Sequence, residues 1–231
     1  MLRTSTSVSS AQNCPNSERR YPMRLYTVSY GWRISMRIPN AVHESRPWRI
    51  REIAPDFTVE DVWALPVYGG AGDFQTLLEV MASLDPAQGA SLATRLLFAV
   101  RWRLGSWFGW DDAAGQLPIP GKNEVSLTDR LPEDLRGTAA DLPFGSRFAP
   151  LFRTDVEAAA ELSNQTVHGV MHLAWVDQGE GRYQGQMTVY VKPRGRLGEA
   201  YMAFIAPFRH RVVYPALMRQ IERAWNARVR Q

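Results

Sequence analysis

Three of the four histidines in this 231-residue chain fall between residues 164 and 214. Two of them, His168 and His172, sit four positions apart in a run of alternating polarity. On a helix, that spacing puts two imidazoles on one face, where they can grip a metal ion. The run argues for a strand instead: Val167, Gly169, Met171, Leu173 and Trp175 alternate with Thr166, His168, Val170, His172, Ala174 and Val176. On a strand the two histidines still share a face, but at roughly 3.3 Å per residue they stand about 13 Å apart. Two ligands of one ion cannot be so far apart, so no metal is expected. Two roles remain open: hydrogen-bonded histidines in a sheet, or pocket-lining groups of which His168 is the acid–base candidate.

Other reactive types carry less. Asp155, Glu157 and Glu161 alternate along one side of a possible strand, which reads as a solvated edge face rather than a buried carboxylate dyad. Arg209, His210 and Tyr214 gather where a final helix should start and where an anionic group could bind, with a hydrogen-bonded cap and hinge as the competing reading. No Gly-x-Ser-x-Gly elbow is present, and the single cysteine, Cys14, lies in a polar N-terminal stretch. Gly69, Gly70 and Gly72 are followed by no Lys-Ser/Thr pair, so they read as a turn and not a phosphate cradle.

The elements that must position these groups are read from periodicity and breakers. Residues 48–54 suggest a short strand. Asp56, Glu60 and Asp61 suggest a capped helix over 56–63 that Pro66 ends. Asp73 caps a helix with Leu77, Leu78, Met81 and Leu84 on one face, and the longest helical pattern runs over 90–107, ending in Trp102, Trp107, Phe108 and Trp110. Residues 111–150 are irregular, with short strands expected at 124–127 and near Phe148. Residues 156–162 have the composition of a helix, yet they read as the hairpin partner of the histidine strand. Asp177 to Gly181 turns the chain into a return strand over 182–192. A third apolar, β-prone run follows at 201–205, and Pro207 suits the first turn of the closing helix. Pro215 inside that helix predicts a kink near Arg211. The sum is an α+β fold: a curved antiparallel sheet closed by a C-terminal helix.

Composition excludes several classes. The formal charge is +4, but residues 1–35 hold five of the 27 basic side chains and one of the 23 acidic ones, so the rest balances at 22 against 22. Nucleic-acid binding is therefore not expected. Residues 1–35 read as a poorly ordered extension and 36–231 as one domain. No apolar run is long enough for stable membrane insertion, and a cytoplasmic setting fits.

The stretches Glu161-Leu162-Ser163-Asn164, Thr166-Val167-His168, His172 to Val176, Val189 to Pro193 and Pro207-Phe208-Arg209-His210 with Tyr214-Pro215 resemble a bacterial domain-of-unknown-function family. That family is also found fused behind short-chain-dehydrogenase-like NAD(P)-binding domains. More distantly it is similar to the START and birch-pollen-allergen (SRPBCC) superfamily. The resemblance implies a helix-grip fold, with the sheet wrapped around a long C-terminal helix and enclosing a hydrophobic cavity. This chain lacks the glycine-rich dinucleotide fingerprint, so no cofactor is implied. The resulting expectation is a binder of a small hydrophobic or polycyclic molecule, with His172, Tyr190, Tyr201, Trp102, Arg209, His210 and Tyr214 as ligand contacts. In an enzymatic version, a cyclase, dehydratase or lyase, His168 moves the proton. The alternative is a non-catalytic interaction module using the Trp-rich helix or the basic tail.

Overall fold

The structure, a computed structural model, describes residues 36–84, 126–139, 148–163 and 167–230. The basic tail, the pattern over 90–107 with Trp102, residues 124 and 125, and the side chain of Tyr201 lie outside the described residues. In chain order the elements are α1 (Asn40–Glu44), α2 (Ile50–Ile53), β1 (Thr58–Gly69), α3 (Phe74–Ser83), two 3-10 turns (Leu127–Arg130 and Glu133–Leu135), β2 (Ala149–Arg153), β3 (Glu157–Ser163), β4 (Val167–Gly179), β5 (Arg182–Pro193), α4 (Gly195–Phe208), a π-helical turn (Arg209–Val213) and α5 (Tyr214–Val229).

The five strands form one antiparallel sheet in the order β1-β5-β4-β3-β2, so the fold is α+β. Register shifts interrupt β1 between Val59 and Asp61 and between Ala64 and Tyr68, and β2 between Pro150 and Phe152. Shifts of this kind bend a strand and increase its twist.

Both faces of the sheet are covered. One face carries Val170, Ala174, Val176, Ala159 and Tyr190 against Trp48, Ile50 and Ile53 of the α2 region and Leu127, Leu131 and Leu135 of the 3-10 turns. The other carries Leu173, Trp175, Met187, Leu65 and Val67 against α3 and against Tyr214, Met218, Ile221 and Trp225 of α5. Full burial of an aliphatic or aromatic side chain stabilises the fold by about 1.5–3 kcal/mol. Ile221, fully buried, is therefore a principal anchor of α5.

Four expectations are corrected. Residues 56–63 do not begin a helix. They enter β1, where Thr58, Val59, Val62 and Trp63 suit a pleated surface and pairing with β5 outweighs the acidic cap signal. Pro66 does not end the element, because β1 is an edge strand and tolerates a missing N–H. The expected strand over 48–54 is the short helix α2, which buries Ile50 and Ile53. The β-prone run at 201–205 lies inside α4, which also contains Pro207, so that proline does not start the closing helix. The irregularity expected near Arg211 is the π-helical turn Arg209–Val213, with Pro215 at the start of α5. Helix 74–83, the Ala/Glu strand β3 and the β4–β5 hairpin form where the pattern placed them.

Candidate functional site on the sheet

Glu157, Ala159 and Glu161 of β3 share a face with His168, Val170, His172 and Ala174 of β4, where Ala159 lies opposite His172 and Ser163 opposite His168. Each glutamate reaches diagonally to a histidine two positions from its own direct partner. The results are two matching pairs, Glu161 Oε2 with His168 Nε2 and Glu157 Oε2 with His172 Nε2, both at 2.8 Å. Glu157 and Glu161 are buried, not on a solvated edge as their spacing suggested; only Asp155 is exposed. Each carboxylate also accepts a backbone N–H from the layer above it. Arg49 donates to Glu157 Oε1 at 3.0 Å at the start of α2, and Leu127 donates to Glu161 Oε2 at 3.1 Å at the start of a 3-10 turn. The Ser126 hydroxyl donates to Glu161 Oε1. The pairs therefore orient two imidazoles and pin two covering segments at once.

The fourth histidine completes this face. Fully buried His43 of α1 accepts at Nδ1 from Gln186 Nε2 at 2.6 Å, so its neutral ring carries the proton on Nε2 and donates it to Tyr190 Oη at 2.6 Å. Burial, reinforced by His172, Arg51 and Arg46, lowers its pKa from 6.5 to about 3. Burial likewise raises the Tyr190 phenol above its ordinary value. The rings of His43, Trp48, His172 and Tyr190 form one cluster, with centroid separations from 5.4 Å for His43–His172 and Trp48–His172 to 6.3 Å for His172–Tyr190. Within it, Trp48 Nε1 and His172 Nδ1 are buried without a hydrogen-bond partner among the described residues. The sequence placed Tyr190 and His172 together but missed His43 and Trp48, which reach the sheet from an N-terminal stretch with no strand periodicity to connect them.

A second cluster lies on the opposite face. Arg209, His210 and Tyr214 converge, as their proximity in sequence suggested, on Asp61 of β1, which has no exposed surface. His210 Nε2 is 2.7 Å from Asp61 Oδ1, Tyr214 Oη donates to Oδ2 at 3.3 Å, and Arg209 Nε ion-pairs with Oδ2 at 2.9 Å. Arg37 adds a fourth partner at 3.2 Å. The anion these residues hold is thus internal. Burial and the Asp61 charge raise the Tyr214 phenol above its ordinary value.

An open groove of about 700 Å³ lies beside β2, lined by Thr128, Asp129, Leu131, Arg136, Gly137, Ala139, Pro150 and Leu151. None of the described residues expected to contact a ligand lines it. His168 instead reaches its edge indirectly, through Glu161 and Ser126. Among the described residues no group of three or more His, Cys, Asp or Glu side chains could hold a metal ion, and no helix is long and apolar enough to cross a membrane.

Fold and site together define an α+β protein whose antiparallel sheet is covered on both faces and carries two buried glutamate–histidine pairs. Residues 53–216 match the family described as Protein of unknown function (DUF2867), and the chain belongs to that family. No curated protein and no solved structure gives a significant match.

Proposed function

We propose that this protein binds a small hydrophobic or polycyclic molecule at the His168–His172 face of a sheet of the helix-grip kind, in a cytoplasmic setting. The enzymatic form of this reading is a cyclase, dehydratase or lyase in which His168, held by Glu161, serves in acid–base chemistry without metal or nucleotide cofactor. The observation that carries the proposal is the concentration of oriented polar groups on one otherwise apolar face. Two imidazoles are fixed by carboxylates, and Trp48 Nε1 and His172 Nδ1 are buried without partners among the described residues. Unsatisfied buried polar atoms are uncommon, and a ligand hydroxyl or carbonyl is one way to satisfy them. The layer over them is light: α1 has five residues and α2 has four.

Native mass spectrometry of the purified protein tests it, with a co-purifying small molecule expected and its loss expected in His172→Ala. A ligand retained at full occupancy in both His168→Ala and His172→Ala removes this face from the site.

A second reading, a non-catalytic interaction module, is favoured by one observation. Ala200, Ala203, Phe204, Pro207 and Phe208 make an outward apolar stripe on α4, with Phe204 68% and Phe208 44% exposed. If partner binding is lost in Phe204→Ser/Phe208→Ser while ligand binding is absent throughout, this second reading replaces the first.

A further inference from the structure

Beside the groove at β2, the buried glutamate–histidine pair has a hydroxyl path to the surface. His168 Nε2 meets Glu161 Oε2 at 2.8 Å, Ser126 donates to Glu161 Oε1, and the Ser126 and Thr128 hydroxyl oxygens are 3.0 Å apart. Thr128 is exposed and lines the groove. Leu127 N–H, together with His168, occupies Glu161 Oε2, and among the described residues Oε1 meets Ser126 alone. The carboxylate is thereby oriented with one oxygen anchored and the other directed toward the groove.

We infer that this groove is a second part of the site, in which a small molecule bearing a weakly acidic hydroxyl, a phenol or an enol, exchanges its proton with Glu161 through Thr128 and Ser126. The inference rests on the reading that the His168 pair performs acid–base chemistry. The step balances as follows. The ligand O–H bond breaks and its proton joins Thr128, Thr128 passes its own to Ser126, and Ser126 passes its own to Glu161 Oε1, where a new O–H bond forms. The three hydrogen bonds reverse direction, the ligand becomes an oxyanion, and the proton count is unchanged. His168 orients the carboxylate through Oε2 and shares its proton with it, so its side-chain N–H exchanges along the same path. Leu131, Ala139, Pro150 and Leu151 supply apolar walls, and a groove of about 700 Å³ suits a drug-sized body. Arg136 faces the same space with its Nε held by the Leu131 carbonyl at 3.1 Å, which fixes a positive charge beside the nascent oxyanion.

The path can be tested without knowing the ligand, using water as the probe. In nitrogen-labelled protein, the side-chain N–H of His168 should exchange with solvent roughly tenfold faster than that of His172, although both are buried. Ser126→Ala should slow His168 to the His172 rate, while Ser126→Thr, which keeps the hydroxyl, should restore it. A merely structural role predicts the reverse, since losing a pin opens the cover and speeds exchange at both histidines. Exposed Thr128→Val tests the same link with little risk to folding. Unchanged or faster His168 exchange in Ser126→Ala and Thr128→Val overturns the path. Phenol titration should shift the backbone amides of Thr128 and Leu151, and the absence of any shift overturns the groove as the site. These outcomes are separable from the wider proposal, whose failure is a protein that carries no ligand whatever the exchange rates.

Discussion

Glu161 and His168 meet across the β3–β4 hairpin at 2.8 Å, and Glu157 and His172 repeat the same diagonal contact four residues along each strand. The same carboxylates take a backbone N–H from α2 and from the 3-10 turn, so the attachment of the cover depends on them. Breaking a buried pair by removing one partner typically costs about 3–5 kcal/mol. Glu161→Ala should fall in that range, above the cost of His168→Ala, because it also strips acceptors from Leu127 and Ser126. Urea unfolding of both single variants and the double should give a coupling of about 0.5–3 kcal/mol, and purely additive losses would show that the contact carries no energy.

His43 sets a pH dependence whose sign is fixed. The folded protein keeps its ring neutral down to about 3, while the ordinary value is 6.5. Below 6.5 the unfolded chain takes up a proton that the folded one refuses, so stability falls as pH drops through this window, by up to about 1.4 kcal/mol per pH unit. Between pH 7 and 5 the protein should lose roughly 2 kcal/mol more than His43→Gln. Urea midpoints at the two pH values decide this, and parallel losses in the two proteins would contradict it.

Asp61 joins β1 to the π-helical turn and to the segment before α1. Asp61→Ala leaves Arg209 with Glu60 as its carboxylate partner, strips His210 and Tyr214 of theirs, and should cost about 3 kcal/mol. Arg37→Ala, at a side chain 46% exposed, should cost under about 1 kcal/mol. Thermal unfolding of the two variants compares them directly, and equal effects would mean that Asp61 is not the hub of the cluster.

Gly185 of β5 sits beneath α3, where an added Cβ would stand 2.6 Å from Val67 Cγ2 and 3.1 Å from Leu77 Cδ2. Gly185→Ala should therefore destabilise by about 1–3 kcal/mol through overpacking. A calorimetric melting temperature equal to that of the parent would show that the core yields at this point.

The hairpin was legible because alternation in residues 167–176 and 182–192 is a local property of a strand half-facing each core. The depth of Glu157 and Glu161 was not legible. A strand read alone shows which residues share a face, but not what lies above that face, and α1 and α2 arrive from more than 100 residues away. Asp56 misled for a related reason. An acidic residue before Thr58 imitates a helix cap, but here it pairs with Arg130 and Lys192, contacts across 74 and 136 positions that local signals do not encode. Arg209, His210 and Tyr214 were found as a group because a helical turn brings near neighbours together, while their common partner Asp61 comes from the far end of the sheet.

Among the described residues the sheet ends on either side in a strand that carries a proline beside a break in register: Pro66 in β1 and Pro150 in β2. On β1 the run near Val62 to Ala64 is further paired with residues 36–38. A second chain meeting either border finds missing donors and a bent backbone in place of a continuous ladder. The width of the sheet is thus limited from within, and crowding many copies together gives these borders little means of growing into a shared fibre.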